Sequence, residues 1–215
     1  FLKMKTTFRL ILIFLTTLIF FYQKIYANEK FEVSGTVLIY DTENIINVDN
    51  IGITEGDYEY LRETLAENPS IKTLQLNSIG GLVETAFAMS DLIIDYELDT
   101  YVKGECASAC TTLLVSGENR IVERGSKVGF HQSSWSADSM RDWYEYNKVY
   151  EDWDNVFEFT EWLYKDTQES FYREMQFLIE RNVDPLFAIK TLKAESDDMW
   201  YPRRKELISS GFITE

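Results

Sequence analysis

Ser108 lies in a run of small residues and cysteines, Gly104-Glu105-Cys106-Ala107-Ser108-Ala109-Cys110. About twenty residues later comes Gly129-Phe130-His131-Gln132, and His131 is the only histidine of the 215-residue chain. A serine hydroxyl is a weak nucleophile at neutral pH and needs an adjacent base. If the chain uses serine–imidazole chemistry, His131 is the imidazole. Either residue has a plainer reading by itself: Ser108 as a helix N-cap, His131 as a histidine bonded into the packing. What favours chemistry is their convergence with the Gly80-Gly81 turn on one edge of a sheet.

A third group should orient the imidazole. Asp197 and Asp198, just before Met199-Trp200, are candidates, and so are Asp138, Asp152 and Asp154. Spacing alone does not choose among them. Lys127 is a variant base, but a lysine serves as one only when desolvated. Cys106 and Cys110, the only cysteines, read either as a disulfide or as two buried thiols. With one histidine they are too few for a four-ligand zinc site without carboxylates, so no metal and no cofactor is expected.

The elements around these residues alternate. Phe31 to Tyr40 reads as a strand and Tyr58 to Ala66 as a short helix stopped by Asn68-Pro69-Ser70. Ile71 to Leu76 is a strand running into the Asn77-Ser78-Ile79-Gly80-Gly81 turn. Leu82 through Tyr96 has helical spacing. Thr100 to Lys103 is a strand broken by Gly104, with a helix from Ser108 through Ser116 entered directly from that break. Asn119 to Glu123 and Lys127 to Phe130 are further strands. Strand–helix alternation predicts an α/β fold with right-handed crossovers. Ligands in such folds bind where loops leave the carboxyl ends of strands, and both glycine-bearing turns lie there. A serine at a strand-to-helix turn also has unpaired helix-start amides beside it that can hold an anion. A second donor would come from the Gly80-Gly81 backbone, and two amides aimed at an oxyanion contribute on the order of several kcal/mol.

From Ala137 to Arg181 there is no Gly or Pro, and acids and aromatics crowd together. One long helix or two are expected, as a layer over the sheet, a substrate arm or a contact with another subunit. Pro185 to Lys193 reads as a further helix. The ends add a compartment. Lys3, Lys5 and Arg9 precede an apolar run of about thirteen residues, and Ala27 offers a small residue for cleavage. Residues 1–27 therefore read as a signal peptide, or as an N-terminal membrane anchor if uncleaved, and residues 28–215 as one domain. Beyond residue 27 there are 17 bases against 36 acids, a net of −19. Such a charge excludes nucleic acid and anionic membrane surfaces as partners.

Leu76-Asn77-Ser78-Ile79-Gly80-Gly81, the Ser108 segment and the His131 strand together resemble the Clp-type serine peptidases of the ClpP/crotonase-like superfold. Cys-Ala-Ser-Ala-Cys, Gly117-Glu118-Asn119-Arg120 and Gly129-Phe130-His131-Gln132 more narrowly resemble an exported bacterial ClpP-like group. The likeness covers about residues 70–132, with a weaker match at 195–214. It implies a spiral of β-β-α units carrying an added long acidic aromatic helical segment at about 137–181. It implies Ser108 as nucleophile, His131 as general base, and the Gly81 and Ala109 amides as the oxyanion hole. The weaker match implies Asp198 as orienting acid, or Asp197 with a shifted gap. The long acidic segment departs from the family pattern and puts a heptameric chamber in doubt. An exported chain would have no ATPase partner, since no ATP-driven unfoldase meets it.

The sequence thus supports an exported serine peptidase, periplasmic or secreted, acting on peptides or unfolded protein and able to form a homo-oligomer. A non-catalytic scaffold of the cell envelope that keeps the fold is the alternative. An acyl-CoA enzyme of the same superfold is disfavoured, because coenzyme A is cytosolic and the acidic surface offers its phosphates no basic patch.

Overall fold

A computed structural model of the protein describes residues 29–45 and 51–215. The expected leader lies outside the described residues. No described helix is long and apolar enough to cross a membrane.

The strands are β1 (Phe31–Ser34), β2 (Val37–Asp41), β3 (Thr73–Ser78), β4 (Asp99–Ala107), β5 (Arg120–Val122) and β6 (Lys127–Gly129). The helices are α1 (Gly56–Glu67), α2 (Val83–Asp95), α3 (Cys110–Ser116), α4 (Ala137–Asn147), α5 (Val156–Glu180), α6 (Pro185–Lys190) and α7 (Arg204–Ser209). The sheet order is β1-β2-β3-β4-β5, with β6 also on β4; β1 and β2 form an antiparallel hairpin, and the remaining pairs are parallel. The expected first strand is therefore two, because Gly35 at φ +63° lets the chain turn back. Alternation on β2 and β3 buries Leu38, Tyr40, Leu74 and Leu76. Ala86, Met89 and Ile93 of α2 and Leu113, Leu114 and Val115 of α3 join the same core.

Gly104 does not end the third expected strand. β4 continues through it to Ala107 with a register shift against β3. Its φ is +116°, and a Cβ there would meet Asn77 Oδ1 at 2.2 Å, so only glycine lets the strands stay this close. Asn77 Oδ1 accepts from the Glu105 amide at 3.0 Å and so satisfies the irregular pairing. The irregularity also divides the far edge of β4. Thr100–Val102 pair with β5, and Glu105–Ala107 pair with β6.

Ser108 follows as a single residue in the left-handed region, φ +54°, and α3 starts at Cys110 rather than at Ser108. Its amide donates to Gly129 O at 3.0 Å, extending the β4–β6 pairing by one residue. A disulfide joins Cys106 to Cys110, closing a short loop around Ser108.

One buried ion pair ties the hairpin to α1. Lys30 Nζ lies 2.8 Å from Asp57 Oδ2, with both side chains almost fully buried. The ammonium also donates to Gly52 O and Thr54 Oγ1, each at 2.8 Å, and Tyr40 OH donates to Asp57 Oδ2 at 2.6 Å. Burial first, and then the Asp57 charge, push the Tyr40 phenol well above its usual range, so it stays a donor.

The 137–181 segment is two helices, α4 capped by Ser136 and α5 by Asn155. It does not form a layer over the sheet along its length. Trp143, Tyr144, Trp153, Phe159 and Trp162 make an aromatic cluster between α4 and α5. Only the end of α5, through Met175, Phe177 and Leu178, packs on the main core.

Two stability measurements follow. Asp57→Asn, which removes a carboxylate paired with the buried Lys30 ammonium, is expected to lower the unfolding free energy by about 3–5 kcal/mol in denaturant titration. Ser108→Gly relieves a left-handed serine where Ser108→Ala does not, so the glycine variant is expected to exceed the alanine variant by about 1 kcal/mol. Equal midpoints for those two variants would show that the turn is unstrained.

Candidate functional site

Ser108 and His131 line one cleft, together with Ala109, Phe130, Val83 and Phe87. The strands dictate this meeting. The Ser108 amide is bonded to Gly129 O, so the chain leaving β6 reaches His131 two residues beyond the serine's backbone partner. Phe130 is held in turn by a two-way antiparallel bridge to Trp200, each amide donating to the other's carbonyl at 2.9 Å. Its ring packs edge-on against Phe212 and Phe187.

The Gly80-Gly81 turn lies directly against the serine. A Cβ on Gly80 would sit 2.6 Å from Ser108 Cβ and 2.9 Å from the Ala109 amide nitrogen. The turn is fixed from behind. The Gly80 amide donates to Ser78 Oγ at 3.1 Å, and that hydroxyl accepts from Thr42 Oγ1 at 2.8 Å. Ile53 bridges to Gly81, its amide donating to Gly80 O at 2.7 Å and its carbonyl accepting from the Leu82 amide at 3.0 Å. Neither the Gly81 nor the Ala109 amide donates a hydrogen bond among the described residues. The Ala109 amide thus adjoins the serine unspent, and the Gly81 amide is unspent one residue beyond the Gly80 contact; donors of this kind suit an oxyanion.

The side-chain contacts are looser. Among the described residues no hydrogen bond joins Ser108 Oγ to His131, and His131 Nδ1 is buried without a partner. Asp198 is exposed and caps the neighbouring Met199 amide at 2.8 Å; Asp197 is exposed as well. Neither is hydrogen-bonded to the imidazole, although the Phe130–Trp200 bridge brings their segment alongside it. Asp138, Asp152 and Asp154 are exposed on or beside α4 and on the link to α5. Lys127 is no part of the cleft: it is exposed, with its ammonium 5.5 Å from the Tyr201 ring centroid. No group of side chains suited to a metal occurs among the described residues.

Glu174 of α5 also lines the cleft and was not singled out by sequence. Burial raises its carboxyl above the usual range, with the adjacent Arg173 charge opposing. Arg173 itself is spent elsewhere: its guanidinium grips both Glu84 oxygens and lies over the Phe87 ring. No sequence signal marked Glu174, one of many acids in a segment without punctuation.

No protein-family model matches the chain, and no curated protein does either. Solved structures do. A mutant ClpP1 from Listeria monocytogenes superposes with a TM-score of 0.54 at 20% identity, covering 76% of this chain and 85% of that one. A peptidase from Plasmodium falciparum superposes with a TM-score of 0.57 at 14% identity, covering 84% of this chain and 94% of that one. At such identities the likeness is one of architecture, and the chain has a ClpP-like α/β fold.

Proposed function

We propose that this chain is an exported serine peptidase that hydrolyses peptide bonds of peptides or unfolded protein. The observation that carries the reading is the backbone around Ser108. A left-handed serine, the unspent Ala109 amide and the sole imidazole line one cleft, and the Gly80-Gly81 turn is packed against that serine. The fold shared with the solved peptidase structures adds support. Ser108 Oγ adds to the scissile carbonyl carbon while its proton passes to His131. The carbonyl oxygen, now negative, is held by the Gly81 and Ala109 amides. The C–N bond then breaks as the imidazolium returns the proton to the leaving amine, giving a Ser108 ester. Water, deprotonated by His131, hydrolyses that ester to a carboxylate and restores the serine.

Asp198 is the proposed orienting acid. His131 Nδ1 is buried without a partner, and an isolated bridge between Phe130 and Trp200 ties the segment bearing Asp198 to the one bearing the imidazole. Export is proposed from the basic–apolar beginning and from the Cys106–Cys110 disulfide, a bond that persists in oxidising compartments. An ATP-driven unfoldase has no place there. Exposed aromatics on α4, α5 and the link between them, among them Tyr146, Tyr150, Phe157 and Tyr164, support self-association.

A second reading, a non-catalytic scaffold, is favoured by one observation: hydroxyl, imidazole and carboxylate are not hydrogen-bonded to one another. A fluorophosphonate probe separates the two. The peptidase reading expects a covalent adduct on Ser108, lost in Ser108→Ala and in His131→Ala; folded protein that takes no label rejects it. The acid is tested separately by the labelling rate. Asp198→Asn is expected to slow it by roughly 10²–10⁴-fold, with Asp197→Asn close to wild type. The reverse order would transfer the role to Asp197.

A further inference from the structure

Glu174 is an acid in an unusual place. It lines the cleft of Ser108 and His131, whose nearby walls include Val83, Phe87 and Phe130. It has neither a hydrogen bond nor an ion pair among the described residues, and the one cation beside it in sequence is held by Glu84. A desolvated carboxylate without a partner is unfavourable in the empty site and gains most from an incoming cation. The cleft lining holds no lysine or arginine, and no hydrogen bond joins Glu174 to His131 among the described residues.

We infer that Glu174 selects substrates carrying a lysine or arginine side chain next to the scissile bond. The inference rests on the peptidase reading and names its substrate class. Apolar walls beside a charged end suit such side chains, whose methylene stems lie on Val83 and Phe87 while the cationic head reaches the acid. The net charge of −19 beyond residue 27 acts in the same direction at longer range, concentrating cationic polypeptides around the chain. Glu174 is thus a specificity residue, and the orienting role stays with Asp198.

The test is a matched peptide series differing only in the residue before the scissile bond: Lys, Gln, Leu or Glu. Wild-type protein is expected to cleave the Lys peptide with kcat/KM at least roughly tenfold above Leu, and Glu174→Gln to bring that ratio near one. Glu174→Lys is expected to turn the preference toward the Glu peptide. The same ratios are measured as equilibrium binding to Ser108→Ala, with and without Glu174→Gln. That arm reads charge selection even if the chain does not hydrolyse peptides, and fluorophosphonate labelling reports on catalysis separately. A Lys-to-Leu ratio of one in wild-type protein, or one unchanged by Glu174→Gln, overturns the inference. So does a Glu174→Gln variant that loses kcat equally on every peptide, which would make Glu174 the group that orients His131.

Discussion

The approach of the Gly80 backbone to Ser108 is the constraint on which the site depends. No side chain other than hydrogen fits at residue 80, because the Ser108 Cβ, the Ala107 carbonyl and the Ala109 amide all lie within 3 Å of where a Cβ would stand. That contact joins the carboxyl ends of β3 and β4 at the point where both chains turn. It sets the Gly80-Gly81 turn against Ser108 and the Ala109 amide. It also accounts for the conformation of Ser108, since a β-region serine would carry β4 onward instead of turning it into α3. A left-handed serine costs about 1–2 kcal/mol. The Gly129 hydrogen bond and the Cys106–Cys110 link hold it there. A four-residue separation puts that disulfide at the low end of loop-entropy stabilisation, so its main effect is local.

The turn is held from a distance by the Lys30–Asp57 pair. Lys30 Nζ donates to Gly52 O, and the next residue, Ile53, makes both hydrogen bonds that bracket Gly81. A surface ion pair contributes roughly 0–1 kcal/mol and could not anchor such a path. This one is buried, and Tyr40 and the Thr54 amide complete the Asp57 acceptors. Its net contribution against a hydrophobic substitute is small. Its consequence is geometric: with every donor satisfied, the 52–57 segment has one way to sit. The path from an edge hairpin to the Ser108 cleft is therefore a chain of hydrogen-bonded polar groups.

Much of this was legible in the residues, and for identifiable reasons. Alternation exposed β2 and β3, helical spacing exposed α2, and the glycine pair announced the turn after β3. Ser108 and His131 stood out because one residue type was rare and the other sat among small neighbours. Gly104 misled, because a glycine that ends a strand and one that lets a strand bulge past Asn77 look alike without the partner strand. The start of α3 shifted by two residues for the same cause. Lys30 and Asp57 were invisible because each is one of many charges, and only packing distinguishes a buried one. Glu174 was hidden likewise. The aromatic segment revealed its helices but not its packing, since tryptophans at scattered spacing serve a satellite cluster as well as a sheet.

The backbone and the side chains of the cleft are at different stages of order, and magnitudes say which matters more. The amides, the glycine turn and the β6 register are set by hydrogen bonds and by steric exclusion, and moving them means breaking the sheet. The imidazole and the proposed Asp198 carboxylate make no hydrogen bond to one another, and Asp198 accepts from the Met199 amide instead. An off-rotamer side chain costs about 0.5–1.5 kcal/mol, whereas a hydrogen bond to a charged group returns about 1.5–3 kcal/mol. Giving up the exposed Asp198–Met199 hydrogen bond costs about 0.5–1.5 kcal/mol. The balance is near zero in the empty cleft. Under the proposed triad, excluding water from His131 would strengthen the imidazole–carboxylate attraction and tip it. The backbone therefore fixes where the proposed triad must form, and aligning its side chains costs about as much as their hydrogen bond returns.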